Sequence, residues 1–254
     1  MVDISLLAYH RFGASTPVAV DLPVEVIEQQ LDLLAAHARV ISLDDALAEL
    51  VGRADLNPAT DRTRPTVVLT ADDGTADWVE VLLPMLADRQ LPMTWYVATR
   101  FVEEQRDFPN GGRPVTWASL RDAVSTGLIT VGSHTHSHAV MTHLDASTAA
   151  EELARSRGLI ESALGTPCEH FAYPKAMRPS AAAETEVRKQ FTTAALAGNR
   201  RNRPGRTDPA RLGRTPIKRT DDPRRFLSKV SGGARLEGFL REWYDRFRYQ
   251  HDVT

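Results

Sequence analysis

Short apolar runs alternate along most of this chain with stretches whose apolar residues recur every three or four positions. Ile4–His10 reads as a strand, and Pro23–His37 as a helix with proline in its first turn and Val26, Ile27, Leu31 and Leu34 on one face. Val40–Ile41 is a short strand, after which Ser42 caps a helix through Leu50, with Asp45 three positions on. Gly52–Pro65 is a polar linker, followed by the buried strand Thr66–Thr70, the helix Asp77–Arg89 and the strand Met93–Ala98. Arg100–Pro114, with Gly111 and Gly112, reads as a long loop; its Phe101 and Phe108 make it a candidate rim or lid. Thr116 opens a helix that Gly127 ends, and the strand Leu128–Val131 comes next. Thr148 and Glu151 fit a capping box for a helix through Leu164. A strand through Tyr173, a helix near Ala181–Gln190 and a strand at Thr192–Leu196 lead into the basic, irregular Asn199–Pro209. A last strand at Thr215–Lys218 precedes two helices, near Asp222–Val230 and Leu236–Gln250.

Alternation of this kind predicts an α/β fold, a parallel sheet or closed barrel with helices outside. Chemistry in such folds gathers at the carboxyl ends of the strands. His10, Asp72, Asp73, His134 and Pro174 each follow an apolar run.

At 254 residues the chain can form one large domain with a full core, and residues 1–254 are read as that one domain. A net charge of −2 predicts no polyanion partner. The lone Cys168 excludes an intramolecular disulfide, lies far from the histidines in sequence and is expected to be a small buried apolar residue. The first ten residues lack the basic region and long apolar run of a signal peptide, and no segment approaches the roughly 20 apolar residues of a membrane span. These features predict a cytoplasmic protein.

Two clusters stand out chemically. Asp72 and Asp73 end an apolar run and precede Gly74. Adjacent carboxylates repel, which raises the pKa of one of them, whereas a divalent cation keeps both ionised. One can then be a ligand while its neighbour accepts a proton from water. About sixty residues later, His134, His136, His138 and His143 place four of the eight histidines within ten positions. One helical turn would bring the imidazoles of His134 and His138 to one side. His136 would then point elsewhere, toward a supporting role or the substrate rim, and His143 toward the surface.

The sequence resembles the polysaccharide deacetylase family, the NodB-homology amidohydrolases of carbohydrate esterase family 4. Thr70–Gly74 matches the motif Thr-Phe-Asp-Asp-Gly with Ala71 in place of Phe, and Ser133–His138 matches Ser-His-Thr/Ser-x-x-His. Leu91–Thr99 and Pro114–Val124 resemble the family's intervening strand and helix, so the likeness runs over roughly residues 4–230. The resemblance implies a distorted (β/α) barrel of about seven parallel strands. It implies Asp73, His134 and His138 as ligands of a divalent metal, by expectation zinc, and Asp72 as catalytic base. The motif Arg-x-Pro-Tyr/Phe falls on Ala172-Tyr-Pro-Lys175, so the arginine that would brace the base is absent there and Lys175 replaces the aromatic residue. The family's oxyanion donor, the backbone N–H after the proline, becomes that of Lys175. No late Leu-x-x-His motif exists; instead Leu7–Arg11 resembles the opening strand of the poly-N-acetylglucosamine deacetylase branch, which makes His10 the general acid.

The implied activity is metal-dependent removal of an N-acetyl group from an amino sugar or glycan precursor. The run Arg200–Arg225 holds ten Lys/Arg against three Asp and would suit a phosphate- or nucleotide-linked sugar; no nucleic-acid-binding motif accompanies it. Three rivals remain. The missing arginine and late histidine suit a degenerate deacetylase that binds glycan without catalysis. A non-sugar amide could be the substrate on the same barrel. Non-haem iron oxygenases also use two histidines and a carboxylate, but they usually sit on all-β folds and would leave one aspartate without a role.

Overall fold

In the computed structural model, residues 3–53, 61, 63–109, 111–198 and 200–233 are described. The chain begins with β1 (Ile4–Tyr9), β2 (Arg11–Phe12), β3 (Asp21–Leu22), α1 (Val24–His37), β4 (Arg39–Val40) and α2 (Leu43–Leu50). After the linker come β5 (Thr66–Asp73), a π-helical turn (Trp78–Leu82), α3 (Leu83–Arg89), β6 (Met93–Val97), α4 (Thr99–Glu104), α5 (Trp117–Ser125) and β7 (Ile129–Ser133). The second half supplies α6 (Ala146–Leu164), β8 (His170–Ala172), α7 (Ala181–Gln190), β9 (Thr193–Ala197), β10 (Leu212–Pro216) and α8 (Pro223–Val230).

Seven of these strands form a closed parallel barrel, in the order β5, β6, β7, β8, β9, β10, β1 and back to β5. Closure is long: six residue pairs join β1 to β5, from Ile4 beside Thr66 to Tyr9 beside Ala71. β4 pairs with Thr66 and Val67 on the other edge of β5, before β6 takes over at Leu69. All six residues of β1 and all five of β6 are buried, as expected for strands covered on both faces.

Successive side chains along a strand point to opposite faces, and the core divides accordingly. Ile4, Leu6, Val68, Tyr96, Ala172, Ala195 and Leu212 form one cluster inside the barrel, closed below by Leu43, Ala46 and Leu50 of α2. Leu7, Tyr9, Val67, Leu69, Ala71, Trp95 and Val97 belong to the larger cluster under the helices. Following the inward row by twos leads from Leu6 to Ala8 and His10, from Val68 to Thr70 and Asp72, and from Leu212 to Arg214. The polar residues are thus the top layer of the barrel core. Gly132 on β7 makes room there, since a Cβ would lie 2.8 Å from the Tyr96 ring.

Several local expectations are corrected. Asp77–Arg89 is not one regular helix. Pro84 cannot donate to the carbonyl four residues earlier, and the Leu83 N–H bonds the Trp78 carbonyl through a wider turn. Arg100–Pro114 is not all loop, because α4 occupies its start and ends at Gln105 in a left-handed conformation (φ 49°). Phe101 and Phe108 are no lid: they are buried and stack at 4.2 Å beside Ala98. The cap of α6 is Asp145, which accepts the Thr148 N–H at 2.8 Å, instead of the box at Thr148 and Glu151. The last strand starts at Leu212, three residues before the expected Thr215. Most of the linker Gly52–Pro65 and the helix expected near Leu236–Gln250 lie outside the described residues. No helix among the described residues is long and apolar enough to cross a membrane.

Candidate active site at the carboxyl end of the barrel

A cavity of about 200 Å³ opens at the carboxyl ends of the strands, lined by His10, Asp72, Asp73, His134, His138, Lys175, Arg214 and Lys218 among others. His10, Asp72, Asp73, His134, His138 and Lys175, the six residues given a metal-binding or catalytic role from the sequence, therefore meet at one place.

Asp73 ends β5 in a left-handed conformation (φ 92°), and one of its oxygens lies 3.8 Å from His134 Nε2 and 3.3 Å from His138 Nε2. One ligand atom from each of the three residues lies within 4.8 Å of the others. His134 Nδ1 is 2.7 Å from the Ala172 carbonyl oxygen, which can only accept, so the imidazole proton sits on Nδ1. Burial pushes His134 down to about 4, against the opposing charge of Asp72, and the ring is neutral at physiological pH. An Nε2 lone pair therefore faces the Asp73 carboxylate. Two electron-rich atoms at this separation repel unless a cation stands between them. The donor set, two imidazoles and a carboxylate, is that of hydrolytic zinc sites, with room for further ligands. The three residues fit a divalent ion.

The two histidines do not converge through a helical turn, contrary to expectation. The segment after β7 is a loop in which Thr135 and His138 are left-handed (φ 63° and 62°). It is pinned from several sides. The His134 N–H donates to the Val97 carbonyl, the Arg100 N–H to the His136 carbonyl, and the Ala139 N–H to the Thr135 hydroxyl. Glu152 on α6 accepts from the N–H groups of His136 and Ser137 and from the Ser137 hydroxyl. His136 is buried against the Thr99 hydroxyl (3.0 Å), a support and not a rim, while His143 is exposed as expected. Asp73, Thr135, His138, Lys175 and Ala176 account for five of the eight non-glycine residues with positive φ among the described residues. Backbone strain concentrated in this way marks functional sites.

Asp72 is buried, and it is not unbraced. Arg214 of β10 grips both carboxylate oxygens, at 2.6 and 2.7 Å. The guanidinium also reaches the Thr70 hydroxyl (3.2 Å) and lies over the Tyr96 ring. Burial alone would raise the Asp72 carboxyl. The charge of Arg214, helped by His134 and His10, outweighs it and holds the group below the usual carboxylate range. The arginine absent before Pro174 is thus supplied from β10, later in the chain.

The sequence does not single this residue out, because a last strand at Thr215–Lys218 places Arg214 inside a basic run, whereas the strand begins at Leu212. The signal was present in Leu212, Arg214 and Pro216, an inward row with one charge buried at its centre. Other members of the run are also engaged: Arg211 pairs with Glu184, Arg203 with Asp3, and Arg219 donates to the carbonyls of Thr16 and Asp21. The run is not a continuous phosphate-binding patch.

His10 lies just past β1, its Nε2 4.0 Å from Asp72 Oδ2. Trp78, the first residue of the π turn, donates its indole N–H to the His10 carbonyl at 2.6 Å, and the Asp77 carboxylate accepts the Phe12 N–H. Lys175 follows Pro174 at the rim in a left-handed conformation (φ 54°), exposed to solvent. Cys168 is fully buried, and burial pushes its thiol up to about 12, so it takes no part in the site.

A family model described as polysaccharide deacetylase matches residues 59–194. The chain belongs to this family. The matched stretch takes in Asp72, Asp73, His134, His138 and Lys175, and leaves out His10 and Arg214, which come from the two strands that complete the barrel. Among solved structures, the deacetylase PplD of Streptococcus pyogenes, in complex with acetate, is similar at a TM-score of 0.78 and 18% identity, over 90% of this chain and 98% of that one. IcaB of Ammonifex degensii follows at 0.74 and 23%, over 91% and 97%. The polysaccharide deacetylase BC0361 of Bacillus cereus stands at 0.72 and 19%, over 90% and 69%. These likenesses establish a shared barrel. No curated protein sequence matches the chain significantly.

Proposed function

We propose that this polysaccharide deacetylase family member is a metal-dependent N-deacetylase that hydrolyses the acetamido group of an N-acetylated amino sugar and releases acetate. The observation that carries the reading is a buried carboxylate, Asp72, held ionised by Arg214 beside a separate metal-ligand trio, Asp73, His134 and His138. A divalent ion held by that trio, zinc by its donor set, would polarise the acetyl carbonyl and acidify water.

In this reading Asp72 accepts a proton as water attacks the amide carbon. Arg214 keeps it ionised and aimed, so no energy is spent on turning the base during the reaction. The Lys175 backbone N–H supplies a donor to the developing oxyanion. His10, 4.0 Å from Asp72, gives a proton to the nitrogen as the C–N bond breaks, so the amine leaves neutral. Asp73, His138 and Lys175 keep their positive-φ backbone only because surrounding contacts enforce it, so these groups are in place before substrate arrives.

Arg214 and His10 also bear on the reading of the chain as a glycan binder without catalysis. That reading needs a base with no arginine behind it and no nearby acid; both partners are present around Asp72, which supports turnover.

The test is acetate release from a panel of N-acetylglucosamine oligomers. Acetate should appear at one equivalent per amine formed, stop when a chelator strips the metal, and return when zinc is restored. Saturable binding of the same oligomers with no acetate at any metal loading would favour the binder.

A further inference from the structure

The charges around the cavity are unbalanced in a way the proposed chemistry does not use. Three cationic side chains line it, Arg214, Lys175 and Lys218, against two carboxylates, Asp72 and Asp73. Arg214 is committed to Asp72, and Asp73 faces the two imidazoles. Among the described residues neither lysine ammonium has a carboxylate partner, and both side chains are exposed. A divalent ion on the trio adds to the positive excess. The excess is local, since the whole chain carries −2.

Both lysines stand on fixed backbone. Lys175 lies between buried Pro174 and the left-handed Ala176 (φ 54°). The Lys218 N–H donates to Asp221, whose carboxylate is buried in an ion pair with Lys229 (2.6 Å). Its neighbours are anchored as well: the Ile217 N–H donates to the Ala8 carbonyl and the Arg219 N–H to the Ala19 carbonyl. Lys218 is the exposed cationic side chain in that tethered stretch. Elsewhere in the basic run, Arg203, Arg211 and Arg219 are engaged by the protein itself.

We infer that Lys175 and Lys218 form an anion subsite, so that the substrate is an N-acetylated sugar carrying a phosphate or carboxylate within reach of the rim. The inference rests on the deacetylase reading for the acetamido group and on the two lysines for the anion. Two ammonium groups at the mouth of a low-dielectric cavity focus positive potential into it. A neutral sugar gains nothing from that field, and an anionic one is both steered in and held.

The test titrates zinc-loaded wild-type protein with N-acetylglucosamine, its 1-phosphate and N-acetylmuramic acid, taking KM in place of Kd where acetate is released. At least one anionic probe should bind about tenfold tighter than the neutral sugar, and the advantage should shrink as salt rises from about 50 to about 500 mM. Which anionic probe gains more separates a phosphate from a carboxylate source. Lys218→Met and Lys175→Met should each reduce the advantage, and together they should abolish it. Equal affinity for the three probes would overturn the inference, as would a preference that survives the double substitution, which would place the anion on the metal. Acetate release is read separately, on the anionic probes as well as on neutral oligomers: release without anion preference sinks the subsite alone, and anion preference with no release from any of them sinks the deacetylase reading alone.

Discussion

Arg214→Met is expected to lower turnover near neutral pH by about two to three orders of magnitude and to move the acid limb of the kcat/KM profile upward. Methionine keeps most of the volume between Thr70 and Tyr96 and removes the charge. Asp72 then keeps its burial and loses the countercharge that outweighs it. A carboxyl left in that position without its countercharge rises, and the fraction available as base falls accordingly. Stability should fall too, since removing one partner of a buried pair costs about 3–5 kcal/mol. The signs are distinct. In the wild type the Asp72 carboxyl is depressed, so its contribution to folding is present above about pH 4 and lost as pH falls toward its folded value. In the variant the carboxyl is raised, so acidification relieves it, and the gap in Tm between the two proteins should narrow from pH 7 to pH 5. Arg214→Lys restores a point charge without the fork that grips both oxygens, and should recover the pH limb more fully than the rate. Loss of stability with an unmoved acid limb would make Arg214 a structural residue only.

Asp73→Ala is expected to abolish both metal content and activity. Asp73 is the one anion of the trio, and without it two neutral imidazoles remain. Metal measured after dialysis should fall below about a tenth of an equivalent, and acetate release by at least about 10³-fold, the worth of roughly 4 kcal/mol of transition-state stabilisation. Asp73→Asn, which keeps the shape and removes the charge, should behave alike. The left-handed backbone at this residue suits asparagine, so a folding defect would not explain that result. Full metal content in either variant would remove Asp73 from the ligand set.

Much of this site is legible in the residue order because its parts are local. Thr70–Gly74 carries two carboxylates off the end of one strand, and Ser133–His138 carries two imidazoles off another. The barrel follows from apolar runs whose burial on both faces leaves little alternative to parallel pairing. What escapes depends on pairing between distant segments or on backbone outside the common wells. Arg214 meets Asp72 across 142 positions, through closure of the sheet by β1 and β10. His134 and His138 converge through left-handed residues that no periodicity signals. Pro84 does announce a break in its helix, but not the wider turn at Trp78–Leu82 that precedes it. Phe101 and Phe108 look like a lid in a polar stretch; their stacking with each other, beside Ala98, buries them.

The account turns on Asp72 being a base and not a ligand. The most direct measurement is acetate release by Asp72→Asn protein whose metal content has been determined on the same sample. Retention of one equivalent of zinc with turnover below about 1% of wild type is the predicted result. Release at the wild-type rate from the zinc-loaded variant, or loss of the metal along with the carboxylate, would contradict it.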